Sequence, residues 1–96
     1  MATVSDAGPK DPSWTPSAPL TLIGKPGCHL CDLVRPVLSA AAERHGLALE
    51  EVDIREHPNL LAAYAEMIPV TLIDGSVHDY WRIDQARLDA ALNARR

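Results

Sequence analysis

Leu20-Thr21-Leu22-Ile23 is a short run bounded by Pro19 and Gly24, and it reads as a buried strand. The period then changes. Apolar residues recur at Leu30, Leu33, Val34, Val37, Leu38 and Ala41, one face of a helix, while Asp32, Arg35, Ser39 and Glu43 take the other. A second strand pattern follows within Leu47–Ile54, centred on Leu49–Asp53. Two strands joined by one helical crossover are expected to be parallel, which removes most of the folds open to a chain of this length.

The rest of the chain extends that unit. Gly46 is placed to end the first helix in the left-handed conformation. A short helix carries Pro58 in its first turn, where no amide hydrogen is needed, and Leu60, Leu61, Tyr64 and Ala65 on its apolar face. Val70–Ile73 and Ser76–Tyr80 flank Asp74-Gly75, a pair suited to the positive φ angles of a two-residue hairpin turn. Asp84 is set to cap a last helix through Asn93, with Leu88, Ala91 and Leu92 inward. The predicted order is β-α-β-α-β-β-α: an α/β fold with a central four-stranded mixed sheet flanked by helices on both faces. Pro36 conflicts with a regular first helix, since an internal proline costs about 3 kcal/mol against alanine. The apolar period runs through it unbroken, so one continuous helix with a kink is expected.

Ninety-six residues fit one domain. Residues 1–19 hold four of the eight prolines and show no period, so they are read as a flexible tail and 20–96 as the domain. The tail has no apolar core of a secretory signal, and no run approaches the ~20 residues of a membrane span, so a cytoplasmic protein with no membrane partner is expected. The net charge of −4 comes without a basic patch and interleaved aromatics, which argues against nucleic acid as a partner. With no Phe in the chain, the core must be Leu, Ile, Val and Ala.

The only two cysteines, Cys28 and Cys31, stand at the junction of first strand and first helix. A disulfide across two residues excludes few unfolded conformations and adds little stability by chain entropy. The spacing alone admits redox chemistry, half of a four-ligand zinc site, or a pair with no chemical role. No second Cys-x-x-Cys or His-x₃₋₅-His completes a zinc site; His45, His57 and His78 are scattered and read as surface or turn residues. No metal is expected. At a helix start, Cys28 meets unpaired amides and the positive end of the dipole, both of which favour thiolate. Cys28 is thus the candidate nucleophile, Cys31 the thiol that resolves the mixed disulfide, and His29 a charge that can tune the couple. Tyr80 and Trp81 could rim a substrate groove or cover the sheet edge as ordinary packing, and packing is the favoured reading.

In this arrangement the chain resembles the glutaredoxin-like branch of the thioredoxin-fold superfamily. The match rests on Cys28-His29-Leu30-Cys31 between strand and helix, Lys25 three residues before it, Pro36 five residues after it, and Ile68-Pro69 before the third strand. The resemblance implies a cis Ile68-Pro69 bond facing the cysteines, with Ile68 and Pro69 presenting backbone to substrate and Lys25 facing an anion. It implies a small thiol–disulfide oxidoreductase whose partners are a protein or low-molecular-weight disulfide and a thiol reductant. A monomer is expected, with no cofactor beyond the dithiol couple; glutathione enters only as a co-substrate. Two departures stand out. The middle pair is His29-Leu30 where glutaredoxins have Pro-Tyr, and Tyr80-Trp81-Arg82-Ile83-Asp84 lacks the two glycines that glutathione-binding members place before the aspartate. The rival reading is a non-catalytic adaptor, or a module holding a metal or iron–sulfur cluster.

Overall fold

A computed structural model describes residues 16–95. The tail expected over residues 1–19 therefore lies outside the described residues, save for its last four. The elements are β1 (Leu20–Gly24), α1 (His29–His45), β2 (Leu49–Asp53), a 3₁₀ turn (Ile54–Glu56), α2 (Pro58–Tyr64), β3 (Val70–Ile73), β4 (Ser76–Tyr80) and α3 (Gln85–Ala94). Their sequence is the predicted one. The four strands form one sheet in the order β2-β1-β3-β4. Strand β1 pairs parallel to β2, from Leu20 opposite Leu49 to Gly24 opposite Asp53, and antiparallel to β3, from Leu20 opposite Ile73 to Ile23 opposite Val70.

Alternation along β1 divides the core. Leu20 and Leu22 pack with Val34, Leu38, Ala41 and Ala42 of α1 and Leu88 and Leu92 of α3. Ile23 faces the other way, with Val52, Ile54, Val70, Leu72 and Leu60 of α2. Helices thus cover both faces, as a parallel crossover requires.

Helix α1 runs through Pro36 without a break. It closes at Gly46 (φ 65°), where the Leu47 N–H returns to the Ala42 carbonyl at 2.9 Å. Its buried face, however, is Cys31, Val34, Leu38, Ala41 and Ala42. Leu30 and Leu33, expected inward, are 44% and 57% exposed. The rotation of the first turn is set by Cys31 lying against the end of β1, a long-range contact that the apolar period does not report. On α2 only Leu60 is buried; Leu61 is exposed, Tyr64 is half-buried, and Ala65 lies beyond the helix end and is exposed. A seven-residue helix has room to bury little more than one turn.

The Asp74-Gly75 turn has the positive φ values expected of it, 50° and 84°. The hairpin carries an irregularity that was not foreseen: Thr71 pairs with Asp79 but Leu72 with Val77, leaving His78 as an extra residue on β4. His78 Nε2 is buried with no hydrogen-bond partner, and burial pushes its pKa below the ordinary value. His45 is likewise half-buried, its Nε2 2.9 Å from Asp89 on α3, and His57, also half-buried, occupies the cap position of α2. His57 thus sits in a connection, as expected, whereas His45 is tied to α3 and His78 is set within a strand. Among the described residues, no helix is long and apolar enough to cross a membrane.

Candidate active site

The loop between β1 and α1 is a tight turn. The Cys28 N–H approaches the Lys25 carbonyl at 3.4 Å, with Pro26 second and Gly27 (φ 77°) third, the residue preferences of a type II turn. The turn sets Cys28 in an extended conformation as the cap of α1. Its carbonyl accepts the Asp32 N–H at 3.2 Å, and its Sγ accepts the Cys31 N–H at 3.1 Å. An amide aimed at that sulfur stabilises it as an anion.

Cys28 and Cys31 are joined as a disulfide, with Cα atoms 5.2 Å apart. The two sulfurs are not equivalent: Cys28 is half-buried, whereas Cys31 is 0% exposed. Cys31 is sealed by Gly24, where an added Cβ would lie 2.7 Å from Cys31 Sγ. Sequence reading took Gly24 only as the end of a strand. The signal was a glycine closing a buried strand just ahead of a cysteine pair, a place where other atoms approach the backbone closely.

The β1–β3 register brings the other predicted residues to the same end of the sheet. Ile23 faces Val70, so Ile68-Pro69, immediately before β3, lies at the end of the sheet where β1 leads into the Cys28 loop. The Ile68-Pro69 bond is cis. Neither the N–H nor the C=O of Ile68 is engaged in a hydrogen bond among the described residues. Lys25 is exposed and borders a cleft of about 390 Å³ with Gly24, Pro26, Arg35, Glu51 and Asp53. The acids there are already matched. Arg35 forks onto Glu51 at 2.8 and 2.7 Å and reaches Asp32 at 2.8 Å, and Arg55 holds the Asp53 carboxyl below its ordinary pKa. Lys25 has no ion-pair partner among the described residues. His29 is the first residue of α1 and exposed beside Cys28.

Trp81, favoured as edge packing with a groove rim as the alternative, is held by its backbone and its ring while half of it stays exposed. It is 52% exposed and has φ 70°, and the Arg82 N–H bonds the Tyr80 carbonyl across it in a three-residue turn. Its own N–H donates to the Pro69 carbonyl at 2.8 Å, and its indole Nε1 donates to the Glu66 carbonyl at 2.9 Å. Tyr80 meets it edge-on with centroids 5.2 Å apart. No sequence pattern announces this; it depends on where β4 ends relative to the cis-proline loop. Among the described residues no group of three or more His, Cys, Asp or Glu could hold a metal ion.

A four-stranded mixed sheet with a two-cysteine ring at the start of its crossover helix and a cis proline just before the third strand defines a thioredoxin-fold protein. The sequence profile of the glutaredoxin-like domain (DUF836) matches residues 19–93, and the chain belongs to that family. Uncharacterised proteins of Mycobacterium tuberculosis and Mycobacterium bovis are each 31% identical, over 72% of this chain and 76% of theirs. The crystal structure of a protein from X. campestris is 37% identical and superposes with a TM-score of 0.66 over 80% of this chain and 99% of its own. A Nitrosomonas europaea protein (21% identical, TM-score 0.65, 81% and 94% covered) and a mutant thioredoxin from Halobacterium salinarum (24%, 0.58, 78% and 71%) share the fold.

Proposed function

We propose that the protein is a thiol–disulfide oxidoreductase working through the Cys28–Cys31 couple, with residues 20–96 as its working unit. The observation that carries this reading is the inequality of the two sulfurs. Cys28 is half-buried and its Sγ receives the Cys31 amide, while Cys31 is 0% exposed, with its Sγ against Gly24. An incoming disulfide meets Cys28 first. The Cys28 thiolate attacks one substrate sulfur, and the other leaves as a thiolate that takes a proton from solvent. Cys31 then gives up its proton as its sulfur attacks Cys28 Sγ, reforming the ring and releasing the second substrate thiol. Two electrons have passed to substrate, and two equivalents of an external thiol reductant restore the dithiol.

In this reading Lys25 offers its unmatched charge to an anionic group near the substrate sulfur. His29 tunes the couple, and Ile68 and Pro69 present backbone to the substrate. The partners are a protein or low-molecular-weight disulfide and a thiol reductant, met by a monomer in the cytoplasm.

At pH 7 the reduced protein should be alkylated by iodoacetamide at Cys28 faster than a free cysteine and faster than Cys31. Cys31→Ser should accumulate the mixed disulfide, visible by mass spectrometry, whereas Cys28→Ser should not react. Equal alkylation rates at both thiols would sink the mechanism. For His29, a potential unchanged in His29→Ala would remove the tuning role.

A further inference from the structure

We propose that Trp81 is the specificity-determining residue of this site, selecting disulfides carried in an extended polypeptide over small soluble disulfides. The proposal rests on the exchange reading above and names its substrate class. It begins from an outlier. Trp81 holds φ 70°, a region that bulky L-residues rarely adopt, and such strain persists where surrounding structure enforces it. Here the enforcing contacts are specific: the backbone N–H bonds the Pro69 carbonyl and the indole Nε1 bonds the Glu66 carbonyl. The two anchors grip both ends of the Glu66–Pro69 segment.

Between those anchors lies Ile68, with both of its peptide groups unengaged among the described residues. A free N–H and C=O on the residue leading into a strand can be matched by the backbone of another, extended chain. Trp81 is half-exposed alongside, with Tyr80 against its edge and Leu30 exposed in the first turn after Cys28. Aromatic walls of this kind receive an apolar side chain with little ordering cost.

The neighbouring cleft holds two carboxylates: Asp79 is paired with Arg87 at 2.7 Å, while Asp84 is exposed and uses one oxygen to accept the Arg87 N–H at 3.0 Å, capping α3. Discrimination against small disulfides therefore rests on Trp81 and not on these charges.

The test compares insulin, whose disulfides lie in peptide, with oxidised glutathione and bis(2-hydroxyethyl) disulfide, using wild type, Trp81→Gly and Trp81→Phe. Trp81→Gly relieves the φ angle and removes both the ring and the Nε1 bond. Its kcat/KM on insulin should fall about tenfold through KM, the size expected for loss of one aromatic anchor. Its rates on the two small disulfides and its Cys28–Cys31 potential should stay at wild-type values. Trp81→Phe keeps a ring without the indole donor, so it should lie between the two on insulin and at wild type on small disulfides. Equal losses on all substrates would make Trp81 a general scaffold residue, and an unchanged insulin rate in both variants would remove its role; either overturns the proposal. Should Trp81→Gly fail to fold, Trp81→Phe is judged by the same two criteria. Wild-type protein that turns over none of the three substrates would instead overturn the exchange function itself.

Discussion

The smallest residue at the site sets its tightest tolerance. Gly24 ends β1 against Cys31 Sγ, and a methyl group there would sit 2.7 Å from the sulfur, well inside van der Waals contact. The sulfur is fixed by its ring and by the burial of Cys31 in the first turn of α1, so it cannot swing away as the tip of a long side chain would. Gly24→Ala should therefore behave as overpacking and destabilise the oxidised protein by about 1–3 kcal/mol, read from urea denaturation. It should also displace Cys31 relative to Cys28 and slow release of substrate from the mixed disulfide. A Gly24→Ala protein with unchanged stability and resolution rate would mean that α1 can shift without penalty. The Cys28–Cys31 pair could be picked from sequence because its spacing is local, whereas Lys25 was named only on the resemblance. Gly24 could not, because its role is defined by an atom seven residues away across a turn.

At the scale of elements, what was legible was whatever is written in consecutive residues. The Asp74-Gly75 turn, Gly46 after α1, Pro58 at the start of α2 and Asp84 before α3 all act on backbone groups within a few positions, and each does so in the structure. The Asp84 cap yields a direct measurement. Its Oδ1 satisfies the Arg87 N–H, one of the free donors at the start of a ten-residue helix. Asp84→Ala should cost about 1 kcal/mol, within the 0.5–2 range for lost caps, and Asp84→Asn should recover most of it. The Asn variant also separates capping from charge, since it keeps the acceptor and loses the carboxylate. Features that were not legible arise between elements. The inward face of α1 is turned away from Leu30 and Leu33 because Cys31 must meet Gly24. The extra residue at His78 depends on how β4 lies along β3, and the turn at Trp81 depends on the loop carrying Pro69.

Over the whole molecule, the packing of helices on sheet is tied at its periphery by titratable groups, and these fix the sign of its response to acid. Asp89 joins α3 to the end of α1 through Arg44 and His45, and Asp74 holds Arg95 beyond α3. Both carboxyls lie below their ordinary pKa, chiefly through hydrogen bonds from Arg44 and from Arg95, and Asp53 does so through Arg55. Such acids bind protons more weakly folded than unfolded, so their contribution is complete above the ordinary value of 3.8 and is lost as pH falls below it. Because these pairs are largely exposed, salt should weaken their part of the pH response. His78 adds an earlier step. Burial, and then Arg87, hold its pKa below 6.5, so charging it favours the unfolded chain. Stability should be fully present above pH 6.5 and begin to decline beneath it, before the carboxylates take part. His78→Gln keeps a polar side chain of similar reach and cannot titrate. Urea midpoints measured from pH 7.5 to 5 should fall in the wild type and stay nearly level in His78→Gln, while both decline below pH 4. A variant that follows the wild-type curve between pH 6.5 and 5 would show that His78 Nε2 reaches solvent in the folded protein and that its bulge on β4 opens more readily than the packing implies.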